Sequence, residues 1–304
     1  MDEKDVRMCQ LLFVNSRMPV RDIADALGIT VQAAHRRLQS LVESGVIKKF
    51  TANISLSHLN ILQGYFSGKS ELKDVDSIIK ELSRSDRSFL AIFTSGGLVF
   101  FQAFLKGMED LEEYLRLIRE NVKIADPVVT YGGRTQYGEG DLRPKTEGDL
   151  SKTDYMILRS LHDDARKTIA DVSGETGISQ KTVKKRLDDL AERKLVEFSI
   201  QWDPGASVGI PSMTFVKLFP GRNKNSLKRW LMEIFGPRIM MAGTYLDLPD
   251  NLLLMTWSST IMLHNEILDA LNSHEDVETV TSHLTIRGHY FENWRDRLLE
   301  NRAR

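Results

Sequence analysis

The sequence predicts an α+β protein that carries the same pair of domains twice. Three observations support this fold class. The chain has 304 residues, about twice the length of a common single domain. Residues 5–50 reappear in altered form at residues 154–199. After each copy, strand and helix patterns follow in the same order. We therefore expect tandem winged helix-turn-helix domains, each followed by a ferredoxin-like domain of order βαββαβ.

The internal repeat aligns residues 5–50 with residues 154–199 without a gap. The identical pairs are Asp5/Asp154, Leu12/Leu161, Arg17/Arg166, Asp22/Asp171, Gly28/Gly177, Ile29/Ile178, Arg37/Arg186, Leu38/Leu187, Leu41/Leu190 and Glu43/Glu192. The spacing of apolar residues agrees as well. Because both signals coincide, we expect the two copies to fold alike.

Each copy predicts three short helices. Residues 20–27 form the second helix, which Gly28 ends because glycine readily adopts a left-handed backbone. The third helix begins at a capping hydroxyl residue, Thr30 in one copy and Ser179 in the other. Its buried stripes are Ala34, Leu38 and Leu41, and Val183, Leu187 and Leu190. This arrangement is typical of a helix-turn-helix.

A β-rich segment follows each third helix, at residues 46–55 and 195–202, and we expect it to form the wing. The winged-helix domains then occupy residues 1–55 and 151–203. The further strands and helices are predicted at 61–67, 72–82, 88–94, 98–105, 108–120 and 125–131, and at 213–219, 227–235, 238–246, 252–257, 262–271 and 277–286. The ferredoxin-like domains therefore span 56–131 and 204–304, the second with a C-terminal helix. Residues 132–150 carry five glycines and no periodicity, which predicts a linker.

The composition narrows the class of protein. With 41% apolar and 27% charged residues, the chain is globular rather than disordered. Its 41 basic and 42 acidic residues give no bulk attraction to nucleic acid, so such binding must be local. A single cysteine, Cys9, and a charged start without a leader pattern suggest a cytoplasmic protein. The uncharged stretch 88–105 is interrupted by Thr-Ser-Gly-Gly, which favours two strands and a turn over a membrane span.

The third helix of each copy carries the candidate DNA contacts. Side chains outside its buried stripe must offer hydrogen bonds to phosphates and base edges. The first copy offers Thr30, Gln32, His35, Arg36 and Gln39, and the second offers Ser179, Gln180, Lys181, Thr182, Lys184 and Lys185. Residues 179–187 contain four cations and no acid, the densest basic cluster of the chain. A solvated helix face is the alternative explanation. The first wing adds Lys48 and Lys49, which suit the phosphate backbone.

Arg37 and Arg186 occupy equivalent positions beside the leucine stripe, and two roles are open for them. Each side chain could contact a DNA phosphate. Each could instead pair with a carboxylate of its own domain, for which Asp22 and Asp171 are the candidates.

The sequence predicts neither a metal site nor a catalytic site. His274, His283 and His289 lie near Glu275 and Asp276. On one continuing strand, however, His283 and His289 would share a face about 20 Å apart, too far for one ion. No nucleophile elbow, phosphate-binding loop or zinc-protease motif is present. We expect no cofactor, although missing motifs do not exclude an enzyme.

With these motifs, the sequence resembles the Lrp/AsnC family of transcription regulators. The likeness is carried by residues 154–166, Gly177-Ile178-Ser179, Val183, Arg186, Leu187 and Leu190, and by Asp5, Leu12, Gly28-Ile29-Thr30, Arg37, Leu38, Leu41 and Gly45-Val46-Ile47. The resemblance implies subunits with one winged helix and one ferredoxin-like sensing domain, paired through the latter. Here both halves lie in one chain, which resembles a covalently joined dimer. A homodimer through the ferredoxin-like domains is a further expectation.

The resemblance also implies an effector site near a glycine-containing turn between the middle strands of each ferredoxin-like domain. In the first half this turn corresponds to Ser95, Gly96 and Gly97. In the second half we match it to residues 242–245, with Gly243 and Thr244, and to Asp247 in the inserted segment 246–250. The implied effector is an amino acid or a similar small molecule.

These features predict a sequence-specific DNA-binding transcription regulator rather than an enzyme. The two third helices would enter successive major grooves of double-stranded DNA, about one helical turn apart. Since the helices differ in sequence, we expect an asymmetric site.

Two alternatives stay open. Fused siroheme decarboxylases also resemble Lrp/AsnC proteins, although Ile54-Ser55-Leu56 lacks the Arg and His expected of their wings. A sensing module without DNA binding would fit the near balance of 8 cations and 6 acids in residues 1–50, and of 10 and 9 in residues 151–200.

Overall fold

A computed structural model describes residues 1–59, 61–135, 149–245 and 247–303, and most of the predicted linker lies outside these ranges. The chain divides into two compact units. The first unit draws on Met1–Arg7 and on residues from 61–142 and 203–291, and the second on residues from 8–60, 143–202 and 292–304. Each unit therefore combines segments from both halves of the chain.

Both halves contain the predicted elements in the predicted order. The first half forms α1 (Glu3–Val14), α2 (Val20–Leu27), α3 (Val31–Glu43), β1 (Ile47–Ile54), α4 (Leu56–Leu59), β2 (Leu62–Lys69), α5 (Val75–Leu82), β3 (Ser88–Thr94), β4 (Leu98–Leu105), α6 (Met108–Glu120) and β5 (Val128–Thr135). The second half forms α7 (Lys152–Leu161), α8 (Ile169–Thr176), α9 (Gln180–Glu192), β6 (Val196–Trp202), β7 (Ile210–Leu218), α10 (Lys224–Phe235), β8 (Ile239–Tyr245), β9 (Asn251–Ser258), α11 (Ile261–Asn272), β10 (Val277–Tyr290) and α12 (Trp294–Ala303). Residues 132–135, predicted as linker, belong instead to β5.

The helix-turn-helix is confirmed in both copies. Gly28 and Gly177 end the second helices with φ of 60° and 70°, in the left-handed region that glycine adopts without strain. Thr30 accepts a hydrogen bond from the backbone N–H of Ala33 at 3.2 Å, and Ser179 accepts one from Thr182 at 3.3 Å. The predicted stripes face the core, although Leu38 is only half-buried.

The strands that were predicted to form the wings are present, one in each copy. Each copy has one strand after its third helix, and β1 and β6 pair antiparallel with each other, with Thr51 opposite Ser199. A lone strand leaves its backbone groups unpaired, so each copy satisfies them with the strand of the other copy. A bulge between Ile47 and Lys49 leaves Lys48 as an extra residue of β1.

Two equivalent arginines join the copies reciprocally. The acceptors are the carbonyl oxygens of Ala165 and Lys167 for Arg17, and those of Ser16 and Met18 for Arg166. The bonds from Arg166 measure 2.7 and 3.0 Å. The guanidinium of Arg166 also lies 5.6 Å from the ring of Phe50. Burial lowers the pKa of both arginines, as does the charge of Arg166 for Arg17. Together with the β1–β6 pair, these bonds fix one helix-turn-helix to the other.

The C-terminal helix was predicted as part of the second ferredoxin-like domain, but α12 belongs to the unit of the winged helices. Leu299 is 1% exposed and packs in the core of the second winged helix. The buried Arg295 donates to the carbonyl oxygen of Ile54 at 2.7 Å and pairs with Glu197. Helix α12 is therefore bonded to the last residue of β1 and to the start of β6.

The two ferredoxin-like halves form a closed eight-stranded barrel of order β10-β3-β4-β2-β5-β8-β9-β7. The stretch 88–105 forms β3, a turn and β4, as predicted. The halves join at two seams, β10 with β3 and β5 with β8, so the barrel has no free strand edge. Its interior is filled by apolar side chains such as Ile92, Phe100 and Met213. Within the described ranges, no helix is long and apolar enough to cross a membrane.

His283 and His289 were expected on one face of a single strand, and β10 does contain both. A bulge between Thr285 and Arg287 reverses the alternation of side chains, however. The ring of His283 lies 5.9 Å from that of Phe100 in the barrel interior, whereas the ring of His289 lies 4.7 Å from that of Phe291 on the outer side. The shared face is therefore wrong. In the part of the chain that the structure describes, no group of three His, Cys, Asp or Glu residues could hold a metal ion.

Candidate nucleic-acid interface and effector site

The outer face of α3 presents polar side chains to solvent. Gln32, His35 and Arg36 are exposed, and none of them has a hydrogen-bond or ion-pair partner among the described residues. Gln39 is exposed as well, but its amide donates to Glu43 at 2.8 Å. Most of the predicted donors on this helix are thus available to a ligand.

The outer face of α9 is more strongly basic. Lys181, Lys184 and Lys185 are exposed and make no ion pair within the described ranges. The hydroxyl of Ser179 caps the start of this helix, and the hydroxyl of Thr182 lies 2.9 Å from it. The three lysines give α9 a local positive field, although the whole chain has a net charge of −1.

Arg186 has a partner inside its own domain. Its Nε lies 3.1 Å from Oδ1 of Asp154, and its Nη2 donates to Ser151 Oγ at 2.6 Å. Asp154 is 3% exposed, so the ion pair neutralises a buried carboxylate. Asp171, the partner suggested by the sequence, is instead occupied in a capping box with Thr168 at the start of α8. For Arg37, the sequence suggested Asp22 as the ion-pair partner. In the structure Arg37 is half-buried and Asp22 is exposed.

The two wing lysines differ. Lys48 stands at the bulge of β1 and is exposed. Lys49 is half-buried and forms an ion pair with Asp163. Lys48 is therefore the more exposed of the two wing cations.

In the first half, the candidate effector residues lie at one seam of the barrel. Ser95, Gly96 and Gly97 form the exposed turn between β3 and β4, with φ of 84° and 77° at the glycines. These positive angles explain the two glycines. The backbone N–H of Ser95 donates to the carbonyl oxygen of Leu284 on β10 at 2.9 Å. The turn therefore touches the other half of the barrel.

In the second half, the sequence match to that turn is wrong. Gly243 and Thr244 lie inside strand β8, and the segment between β8 and β9 is the inserted residues 246–250. The insertion displaced the sequence match by several residues. Gly243 is opposite Thr135 on β5, and the carboxylate of Asp247 accepts from the backbone N–H of Tyr131 at 3.2 Å. This group therefore lies at the other seam, which is equivalent to the first by the repeat.

Sequence reasoning missed Arg17 and Arg166. Their identity at equivalent positions was visible, but nothing in the sequence showed that each one bonds the other copy. An arginine that stays identical while its neighbours change is the signal that could have found them.

Parts of the chain match known proteins. Residues 1–48 and 150–197 both match the family model of winged helix-turn-helix DNA-binding domains. An uncharacterised HTH-type transcriptional regulator of Pyrococcus horikoshii, PH0061, is 27% identical over 133 residues, or 42% of this chain and 88% of the relative. Another, PYRAB00690 of Pyrococcus abyssi, is 33% identical over 84 residues, or 27% of this chain and 57% of the relative. The HTH-type transcriptional regulator LysM of Sulfurisphaera tokodaii is 37% identical over 57 residues, or 19% of this chain and 41% of the relative.

One solved structure shares the architecture over almost the whole length. The crystal structure of the siroheme decarboxylase NirDL has a TM-score of 0.59, with 99% of this chain and 98% of that chain covered. The sequence identity is 13%. At this level the likeness shows a common fold and carries no argument about activity.

Two helix-turn-helix copies with exposed donors on their third helices define a DNA-binding transcription regulator. The chain carries a winged helix followed by a ferredoxin-like domain twice in one polypeptide, and in this order it resembles regulators of the Lrp/AsnC type.

Proposed function

We propose that this chain is a sequence-specific regulator that is not an enzyme, and that both of its helix-turn-helix copies contact one DNA duplex. The observation that carries this proposal is the direct attachment of the two copies to each other through the β1–β6 pair and the bonds from Arg17 and Arg166. In such a unit the separation of α3 and α9 is set by the fold. Two helices held in this way would enter successive major grooves.

Helices α3 and α9 would have different roles in DNA recognition. The exposed Gln32, His35 and Arg36 of α3 are types of side chain that read base edges. Lys184 and Lys185 of α9 suit phosphates, which position a protein without reading sequence. The preferred DNA site would then be asymmetric, with one half specified more strongly than the other.

A small effector would act at the two seams of the barrel. Ser95 at one seam and Asp247 at the other form hydrogen bonds across the junction of the two ferredoxin-like halves. A ligand such as an amino acid that competes for these backbone groups would favour one arrangement of the halves over another, which is what coupling between sites requires. Because the closed barrel already uses its strand edges, a second copy of the chain would have to bind elsewhere on the ferredoxin-like halves.

The test is a titration of the purified protein with fluorescent duplex DNA from upstream of its own gene and with a scrambled duplex, at two salt concentrations. The proposal requires tighter binding to the upstream duplex, and binding that weakens as salt rises. Equal and weak binding to both duplexes would overturn it.

A tetrapyrrole enzyme is the second candidate, and the shared fold with a siroheme decarboxylase is what favours it. The absorption spectrum of the same preparation, with and without added iron porphyrin, decides between them. A Soret band that shifts on mixing would support the enzyme. A colourless protein that leaves the porphyrin spectrum unchanged would exclude it.

A further inference from the structure

The junction of the two helix-turn-helix copies brings two arginines together. Nη1 of Arg17 donates to two carbonyl oxygens, those of the residues directly before and directly after Arg166. Nη1 of Arg166 donates in the same way to the residues directly before and after Arg17. Burial lowers the pKa of Arg17, and the positive charge of Arg166 lowers it further. The two guanidinium groups are therefore close neighbours with like charge.

Aromatic rings help to hold both guanidinium groups in place. The guanidinium of Arg17 lies 5.7 Å from the ring centre of Phe198 on β6, and that of Arg166 lies 5.6 Å from the ring centre of Phe50 on β1. Each side chain is thus fixed by one ring and two carbonyl oxygens. A ligand that binds here has little side-chain freedom left to freeze, which favours binding.

One edge of each guanidinium has no protein partner. Within the described ranges, neither Nε nor Nη2 of Arg17 or Arg166 makes a hydrogen bond, and neither arginine forms an ion pair. Both residues are only half-buried, and no nitrogen of either one is both buried and unbonded. The Nε–Nη2 edge therefore faces solvent. It carries two N–H groups whose spacing matches two oxygens of one oxyanion.

The positive charge of the pair is only partly compensated. Asp164 lies near Arg166, but its Oδ1 accepts from the backbone N–H of that residue, at 2.9 Å, and not from a guanidinium. The equivalent residue of the first copy is Asn15, whose Oδ1 accepts from the backbone N–H of Arg17 at 3.0 Å. This turn therefore needs an oxygen acceptor and not a charge. With one carboxylate for two guanidinium groups, the junction keeps a net positive charge.

We infer that the arginine pair, Arg17 and Arg166, binds an oxyanion of the phosphate type. The Nε–Nη2 edge of one arginine donates two hydrogen bonds to the oxyanion, and the charge of the other arginine adds attraction. A free phosphate ion has this chemistry, and so does a phosphate group of the DNA backbone. The site differs from the third helices and from the barrel seams. Binding of free phosphate does not depend on DNA recognition, so either idea can fail without the other.

Calorimetric titration of the full chain with inorganic phosphate tests the inference, with chloride adjusted to keep the ionic strength constant. Phosphate should bind saturably. The double change Arg17→Lys/Arg166→Lys keeps both charges but removes both two-pronged edges, so it should weaken phosphate binding by about tenfold or more. Arg229→Lys is the matched control, because Arg229 is exposed and has no hydrogen bond or ion pair in the described part of the chain. It should leave phosphate binding unchanged.

A second set of variants leaves the arginines untouched. Asn15→Asp adds a carboxylate beside the pair and should weaken phosphate binding by about threefold, whereas Asp164→Asn removes one and should strengthen it by about the same factor. Each new residue already occupies the equivalent position of the other copy, so the turn should keep its hydrogen bond. These two variants decide the matter if the lysine variant does not fold.

Competition separates the two sources of the oxyanion. If the natural ligand is a backbone phosphate, inorganic phosphate at constant ionic strength should weaken binding of a scrambled duplex to the unchanged protein, and not to the double lysine variant. If the natural ligand is a free oxyanion, phosphate should leave duplex binding unchanged. Both results support the site. The inference is overturned if phosphate does not bind saturably, or if it binds equally well to the lysine and exchange variants.

Discussion

The substitution Arg186→Met distinguishes two possible roles of this arginine, a structural one within its own domain and a contact to DNA. The change keeps the aliphatic stem and removes the guanidinium, which makes contacts of 3.1 and 3.2 Å with Asp154 and of 2.6 Å with Ser151. Hydrogen bonds between charged groups contribute about 1.5–3 kcal/mol each when buried. Arg186 is one-third exposed, and Asp154 keeps its bonds from the backbone N–H and hydroxyl of Ser151. We therefore expect the free energy of unfolding to fall by about 1–3 kcal/mol.

The assay is urea unfolding combined with DNA titration at several salt concentrations. Lys185→Met is the matched control, because Lys185 is exposed on the same helix and makes no ion pair within the described ranges. It should leave stability unchanged and reduce the slope of log affinity against log salt by about 1. Arg186→Met should do the reverse, lowering stability while keeping the slope. The reasoning is refuted if Arg186→Met leaves stability unchanged and reduces the slope as Lys185→Met does.

Three further predictions concern the junction, the two third helices and pH. Arg166→Met removes two charged hydrogen bonds to the other copy and should lower the unfolding free energy by about 1.5–3 kcal/mol in urea; an unchanged midpoint would contradict the reciprocal junction. Lys184→Gln should weaken binding to upstream and scrambled duplexes alike, whereas Gln32→Ala should weaken only the former, in fluorescence titrations; the opposite pattern would reverse the roles of the helices. Burial lowers the pKa of His264 and of His283, so the folded state favours neutral rings. The stability that depends on these neutral rings is complete above the ordinary pKa of about 6.5 and is lost as pH falls from there through the lowered pKa values. Unfolding free energy should therefore drop between pH 7.5 and 5.5 more in the unchanged protein than in a His264→Leu/His283→Leu variant, and equal drops would count against this assignment.

The helix-turn-helix copies were predictable because their signals are local. A left-handed glycine and a capping hydroxyl act within one turn of the helix that they end or begin, as Gly28 and Thr30 do. The uncharged stretch 88–105, which Thr-Ser-Gly-Gly interrupts, likewise predicted β3 and β4 with their observed bounds.

Contacts between distant segments were not predictable in the same way. The partner of β1 lies in the other copy, and no residue within β1 indicates this. Asp154 reaches Arg186 from another helix, whereas the sequence favoured the nearer Asp171. One bulge in β10 reversed the expected faces of two histidines, because each extra residue turns a strand over.

The candidate site also has a part that was predictable from local sequence signals and a part that was not. Its residues on α3 and α9 were found from the helix pattern, and they stand exposed as that pattern requires. The second effector group was misplaced because an insertion at residues 246–250 shifted the match.

Selection of binding sites from a pool of random duplexes most directly tests the central claim, that one chain reads DNA with two different helices. We expect an asymmetric motif whose two parts lie about 10 base pairs apart, with the part under α3 more strongly specified. Inverting one part of that motif should weaken binding by about tenfold or more, since several base contacts are lost together. A perfect palindrome that tolerates such inversion, or no enriched motif at all, would contradict the account.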